Sequence, residues 1–549
     1  MQNIEVPLSS SAKAEDSSGP RPAVWRRFLL PSLTDLIFVA VLAGLCGPLA
    51  QRLLGDAGIG WHIRTGEIIL RTHSVPHTDL FSATMVGKPW YAWEWLYDTG
   101  VAVFHHLGGL NGVVLANAGV IALTFALVLH MMMARGAGLG VATGLLLLLL
   151  LASSIHLLAR PHVVSWLLTV AWFGVLEKFA REPRVRTPRW LPVLMLVWVN
   201  VHGGFVVGLA LVGIYFASAC VELIRSGPEH EPAWQRAKAL AIAGAASVAV
   251  TLVNPYGYAL HIHIHQYLTD RFLMSHIDEF APPKFSGLAF CCFLAIAVLG
   301  AAAIIPAWKR VRTSDILVVV LAVYAGCRSA RNLPWAAALL ALVAAPYIAE
   351  ALKAWVGKLG GATLARRVAS RWAGLSMRMS AVDHDLRGHA WAALAVIAVA
   401  WTTLHAGYAG SVKLMAAQFD AKRFPAGAVD LLMRSDVREP IFTPDWWGGY
   451  VIYRMYPQAR VVVDDRHDLY GAQFFRNYLK IWHDEPGWEQ ALEEMDPDWV
   501  LVPVKAAITP GLIEAQNWKA IYRDGTSVLF ERRGHVPAVR STGVDVKAE

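Results

Sequence analysis

Eleven apolar runs, divided by short polar segments, limit what this chain can fold into. They centre on about 33–54, 112–134, 141–159, 162–178, 190–201, 205–224, 238–253, 286–306, 314–327, 332–353 and 390–408. Hydrocarbon offers no partner to backbone N–H and C=O groups, so such runs cross it as helices of ~20 residues. Several runs reach that length and several fall short. The 190–201 run is short and leads into His202-Gly203-Gly204, so this hairpin is expected to end inside the bilayer around a water-filled cavity. Only 16% of the 549 residues are charged and 56% are hydrophobic. Soluble domains have ~25% charged and ~45–50% apolar residues, so lipid solvates most of this chain.

The basic residues give the orientation. The net charge of +8 does not point to nucleic acid, because Lys and Arg fall in clusters between apolar runs. Lys178, Arg181, Arg184, Arg186 and Arg189 form one cluster, and Lys309, Arg310 and Arg312 a second. Lys353, Lys358, Arg366, Arg367, Arg371, Arg378 and Arg387 form the third. With the N-terminus inside, all three face the cytoplasm, as the positive-inside tendency requires. An odd number of spans then puts the large loop 55–111 and the C-terminal region outside. Residues 1–22 are rich in Ser, Ala and Pro and are expected to be a disordered cytoplasmic tail. Arg21, Arg26 and Arg27 then introduce a first run that reads as a signal anchor. The five cysteines, Cys46, Cys220, Cys291, Cys292 and Cys327, have no metal-ligand spacing and give no disulfide framework.

The loop after the first run concentrates the chemistry. From Asp56 to Leu96 it sets Asp56, His62, Arg64 and Glu94 among Trp61, Trp90, Tyr91, Trp93 and Trp95. Asp56 is suited to act as general base toward a hydroxyl, or to hold a divalent cation such as Mg or Mn. Its bland alternative is a helix cap. Glu94 reads as a second acid, or as an acceptor for a Trp indole. Glu279, in HIDEFAPPKFSG, is the expected companion of Asp56 at a cation. His261, His263 and His265 would share a face only on a strand, and an amphipathic interfacial segment is the preferred reading. Arg160 and His162 in ARPHVVSW, and Arg328 and Arg331 in CRSARNLPW, depart from the positive-inside pattern. Three guanidinium groups at outer turns are expected to clamp a lipid phosphate or diphosphate, the alternative being pairing with carboxylates of the outer loops.

From 411 to 535 short helices alternate with β-branched strands, which predicts a small α/β domain. RVVVD, WVLVP and SVLFER are expected strands, and WWGGYVIYRMY an expected helix. The run Asp464-Asp465-Arg466-His467-Asp468 reads equally as a structural turn or a carbohydrate contact. Residues 536–549 are expected to be a disordered tail. No internal repeat is present.

The order Asp56, WHIRTGE, Val75-Pro76, Asp79–Ser82, Gly87–Trp90, Glu94–Leu96 resembles bacterial polytopic proteins of the GT-C glycosyltransferase superfamily, grouped with the Rgt-like transferases. In layout it is similar to aminoarabinose transferases and protein O-mannosyltransferases. NVHGGFVVGLAL, LVNPYGYAL, RSARNLPW, DWWGGYVIYR and DDRHDLYG extend the resemblance over most of the chain. It implies a mainly α fold: a transmembrane GT-C-like domain over 23–410, with about eleven spans, followed by the extracytoplasmic α/β domain. It also implies a multi-pass protein of a bacterial inner (plasma) membrane. A polyprenyl-phosphate-linked sugar would be the donor, a glycan, lipid or protein the acceptor, and transfer would proceed with inversion. Asp56 matches the essential acid of the first outer loop; the second adjacent acid often found there is Ala57 here. Asp56 and Glu94 are thus the expected catalytic pair. Arg160, His162, His202, Arg328, Arg331, His62 and Arg64 are the expected substrate contacts. The alternatives are a non-catalytic polysaccharide-assembly protein that binds lipid-linked glycans and, last, a secondary transporter.

Overall fold

The computed structural model describes residues 24–182, 187–226, 231–358 and 364–534. The two expected tails, Arg184, Arg186 and the side chain of Arg366 lie outside them. Helix α1 spans Leu33–Cys46 and opens on a capping box: Asp35 N–H donates to the Ser32 hydroxyl at 3.1 Å and Ser32 N–H to the Asp35 carboxylate at 2.9 Å. Then follow α2 (Ile59–Thr72), α3 (Trp95–Ala134), α4 (Leu139–Ser153), α5 (His162–Arg181), α6 (Trp190–Val199) and α7 (Phe205–Arg225). The membrane part continues with α8 (Glu231–Val250), α9 (Ala259–Thr269), α10 (Leu288–Ile304), α11 (Thr313–Arg328), α12 (Leu333–Lys358), α13 (Leu364–Asp385) and α14 (Ala390–Leu404).

Among the described residues, six helices are long and apolar enough to cross a membrane, including those ending at Cys46, Arg225 and Lys358. Only 22% of the first span's apolar window and 28% of that in α7 is buried by protein. The rest of these apolar faces needs lipid to cover it. The other apolar runs form helices that are shorter or more polar, for local reasons. Helix α6 has ten residues, about 15 Å at 1.5 Å per residue, against a hydrocarbon thickness of ~30 Å. Helix α8 begins on Glu231, Arg236 and Lys238, and α11 is 16 residues long. Helix α3 starts at Trp95, well before the apolar run at 112, and bends at Gly108 and Gly109, where Gly109 takes a φ of 59°. The loop expected over 55–111 therefore closes at Glu94. Helix α13 has an exposed apolar stripe of Val368, Trp372, Leu375, Met379 and Val382, at helical spacing.

The C-terminal part holds α15 (Asp445–Met455) and α16 (His467–Trp482) beside a four-stranded sheet. Its strands are β1 (Ile441–Phe442), β2 (Trp499–Pro503), β3 (Trp518–Arg523) and β4 (Ser527–Arg532), in the order β1-β2-β4-β3. β1 runs parallel to β2 and the other pairs are antiparallel. RVVVD, expected as a strand, forms single bridges instead: Val461 pairs with Ile441 on one side and Ser82 on the other. The first outer loop thereby adds to the sheet.

This part is not an appendage. One hydrophobic cluster joins Trp61, Ile68, Phe81 and Trp90 of the loop to Trp447, Tyr450, Val451 and Val461. The joint is made backbone to backbone. A Cβ on Gly60 would lie 2.1 Å from the Gly449 carbonyl oxygen, and one on Gly449 would lie 2.2 Å from that of Ala57. Helices α2 and α15 meet at a distance only glycine permits.

Candidate active site at the outer cavity

Two hydrogen bonds fix Asp56. Its Oδ1 accepts the Gly58 N–H at 2.8 Å, and its Oδ2 accepts from Arg160 Nη1 at 2.9 Å. Arg160, in the turn before α5, has three acids around it. Its Nη2 lies 3.2 Å from Asp465 Oδ2, and its Nη1 lies 3.9 Å from Glu279 Oε1. Glu279 Oε2 lies 3.5 Å from Arg331 Nη1, and Arg331 Nη2 donates to His202 Nε2 at 3.1 Å. His202 Nε2 is 3.8 Å from Glu94 Oε1. Glu94 Oε2 is 3.7 Å from His62 Nε2, and His62 Nδ1 bonds Asp98 Oδ1 at 2.6 Å. A single chain of charged and titratable groups thus runs from Asp465 on the C-terminal side to Asp98 inside the helices.

Two cavities meet along it. The outer one, of about 460 Å³, is polar and lined by Asp56, Trp61, Arg160, Glu279, Asp465 and Trp446, among others. The inner one, of about 200 Å³, lies between α5, α7 and α9 and is lined by Trp166, Val206, Val207, Ile264, Leu268 and Trp335. Trp93, Glu94, Tyr267, Phe280 and Arg331 line both. His202, Gly203 and Gly204, at the turn after the short helix α6, also line the inner cavity.

The electrostatics differ along the chain of groups. Burial pushes the Glu94 carboxyl up to about 7, against the opposing charges of Arg160 and Arg331. Burial also raises Asp465, despite Arg160. Burial alone would raise Glu279, but the charges of Arg331 and Arg160 outweigh it and hold that carboxyl at about 2. His62 and His202 are pulled well down, first by burial and then by the nearby arginines, so both imidazoles are neutral.

The expected site residues divide between this arrangement and others. Asp56, Glu94, Arg160 and Arg331 line the outer cavity, His162 and His202 the inner one, and His62 lies directly behind Glu94. Arg328 is not among them. It ends α11 with its side chain exposed and lines neither cavity, because Ser329 breaks the helix and turns Arg331 the other way. Arg64 is also elsewhere: it donates to the Tyr453 carbonyl and pairs with Glu67 at 2.7 Å, holding α2 to α15. The divalent cation expected at Asp56 and Glu279 has no site as these side chains stand. Arg160 Nη1 fills the space between the two carboxylates, and among the described residues no three His, Cys, Asp or Glu side chains group as a metal would require.

His261, His263 and His265 sit on helix α9; His263 bonds Asp468 at 3.0 Å and His261 bonds Thr251 at 2.8 Å. The Asp464–Asp468 run divides between a structural pair and cavity-lining residues. Asp464 and Arg466 are buried and form a bidentate pair, with Arg466 also 2.7 Å from Asp79 and stacked 4.6 Å from the Trp90 ring. Asp465, His467 and Asp468 line the outer cavity. Asp465, paired with Arg160 at the cavity wall, is a residue that sequence reasoning did not single out by itself; its only signal was a charged run at the end of a β-branched stretch.

No family model matches the chain, and no curated protein matches it. Solved structures do, among them ArnT from Cupriavidus metallidurans in the apo state and the same protein bound to undecaprenyl phosphate. Each is 14% identical, with a TM-score of 0.46, over 91% of this chain and 96% of the other. At that identity the likeness is one of layout, and the chemistry has to come from the cavity's own residues.

Proposed function

We propose that this chain is an integral membrane glycosyltransferase that moves a sugar, with inversion, from a polyprenyl-phosphate donor to an extracytoplasmic glycan, lipid or protein. The junction of the two cavities carries the reading. A chamber lined by charged and aromatic side chains and a more apolar one share Arg331 and Glu94 as wall residues, which suits a ligand with a greasy tail, an anionic joint and a hydroxyl-rich head. The outer volume falls in the ~300–1,000 Å³ range of small-molecule sites. The tail enters between α5, α7 and α9, the phosphate reaches Arg331 and then Arg160, and the sugar occupies the chamber beside Trp61 and Asp465.

Asp56 is the general base. In the resting arrangement Arg160 holds it. The donor phosphate competes for that guanidinium, and the carboxylate freed by it accepts the acceptor's proton as the oxygen attacks the anomeric carbon. The N-terminus and α13 face the cytoplasm of a bacterial inner membrane, and the cavity and C-terminal part face outward. Lipid-linked and envelope glycans compared in cells with and without the gene test the reading. Loss of one glycan, restored by the wild-type chain and not by Asp56→Asn, is the expected result. A full restoration by Asp56→Asn would move the protein to the non-catalytic, glycan-binding class.

A further inference from the structure

Behind the outer cavity lies a set of buried groups that the base chemistry of Asp56 does not use. His62 and Asp98 are wholly buried and Glu94 nearly so. A buried His–Asp pair is ordinarily a closed structural unit. This one is open, because among the described residues His62 Nε2 and Asp98 Oδ2 have no hydrogen-bond partner. His62 Nε2 lies 3.7 Å from Glu94, whose own side chain makes no hydrogen bond among the described residues and lines both cavities. The 2.6 Å contact between His62 Nδ1 and Asp98 Oδ1 fixes the ring, and with the imidazole proton on Nδ1 the Nε2 nitrogen is left as an acceptor. The lone pair on Nε2 then points at Glu94, as in other acid–His arrangements where a third group orients the imidazole.

We infer that Glu94, His62 and Asp98 form a proton relay, in which Glu94 protonates the departing lipid phosphate and His62 and Asp98 position it; this rests on the glycosyl-transfer reading above. The acceptor's proton goes to Asp56 as its oxygen bonds the anomeric carbon. The bond from that carbon to the phosphate oxygen breaks, the electron pair stays on the oxygen, and Glu94 gives that oxygen its proton. The lipid phosphate leaves as a monoanion. Asp56 returns its proton to Glu94 through cavity water, so a turnover consumes none. His62 is the local acceptor that keeps the Glu94 hydroxyl aimed and its carboxylate form unsupported. The charged and titratable groups facing Glu94 come from every packed element: His62 on α2, Asp98 on α3, Arg160 before α5, His202 after α6, Arg331 before α12, and Asp465 and Asp468 from the C-terminal part.

The test uses the purified full chain and dioctyl phosphate, a probe with one negative charge throughout pH 5.5–8.5. A protonated Glu94 donates to this anion and an ionised one repels it. Wild-type affinity is expected to fall about tenfold as pH rises from about 6 to 8, the size of one unit of differential proton binding. E94Q is expected to hold the low-pH affinity at every pH, since its amide donates and never ionises. D98N donates an amide N–H to Nδ1, moves the imidazole proton to Nε2 and so supports the carboxylate; the midpoint should drop by about one unit. H62Q guards against a D98N chain that does not fold. The infrared band of the protonated Glu94 carboxyl, identified by its loss in E94Q, gives the midpoint without ligand. A pH dependence that survives E94Q, or an infrared midpoint unmoved in both D98N and H62Q, overturns the relay. Dioctyl phosphate that binds at no pH instead overturns the lipid-phosphate reading, while the infrared midpoints still decide the relay.

Discussion

The chain buries two clusters of arginines and acids, and they are built differently. In the membrane helices Glu177 accepts from Arg135 at 2.5 Å, from Arg312 at 2.7 Å, from Arg181 at 3.3 Å and from the Tyr215 hydroxyl. Asp315 accepts both from Arg312 at 2.6 Å and from the Tyr347 hydroxyl at 2.7 Å. Around Glu94 the two histidines stand 3.7–3.8 Å from its carboxylate, and among the described residues His62 Nε2 and Asp98 Oδ2 have no hydrogen-bond partner. Contact distance makes the first cluster a strut between helices. The looser spacing of the second leaves lone pairs and protons for a guest. Buried ion pairs alone therefore say little about function; their degree of saturation says more.

Several substitutions would break or sharpen that contrast. The largest effect is expected from Asp56→Asn, which should lower transfer by about 10²–10⁴-fold, the usual share of a general base. Its melting temperature should stay close to wild type, because asparagine can still accept the Gly58 N–H. Transfer assayed in membranes at matched protein levels decides this. Next comes Glu177→Ala, which strands the buried Arg135 and should cost about 3–5 kcal/mol of stability. It would be read as lost folded protein in thermal unfolding; an intact Tm would mean that the strut carries no load. Arg331→Ala should weaken lipid-phosphate binding about tenfold or more, and Arg331→Lys less than that, because lysine keeps charge without the fork. Arg328→Ala, at an exposed helix end, should leave binding unchanged.

The smallest effect concerns pH. Glu94 rises from 4.5 to about 7 on folding, so the folded chain holds a proton that the unfolded chain has lost across that window. Stability should therefore decline as pH rises from about 4.5 to 7 and level off above it. Glu94→Gln should flatten that decline. A slope equal to wild type in Glu94→Gln would place the titrating group elsewhere, with Asp465 the first to examine.

Reading the sequence alone identified apolar helices, because hydrophobic length and period are local properties. It also marked the Asp56–Glu94 loop and the Arg160 and Arg331 turns as unusual, since acids and outward arginines beside spans are costly unless used. It misjudged α3, whose amphipathic first turns carry too little hydrophobic signal, and RVVVD, whose strand character depends on distant partners at Ile441 and Ser82. Arg328 and Arg331 look alike in CRSARNLPW, and only the break at Ser329 separates them. Gly448-Gly449 fitted no ligand motif because its use is mechanical: Gly449 admits the backbone of Ala57.

What the sequence by itself determined is the medium and the inventory: a chain rich in apolar helices, with acids, histidines and arginines gathered in the turns between them. Those follow from composition and spacing, which no tertiary contact can change. The tertiary structure decided which of these groups face one another. Residues 404 positions apart, such as Trp61 and Asp465, share a 2.9 Å hydrogen bond, and Arg160 meets Asp56 from 104 positions away. Such contacts arise from helix packing and the glycine joint between α2 and α15. The energy of any one pairing depends on burial and distance, and neither is written in the local order of residues.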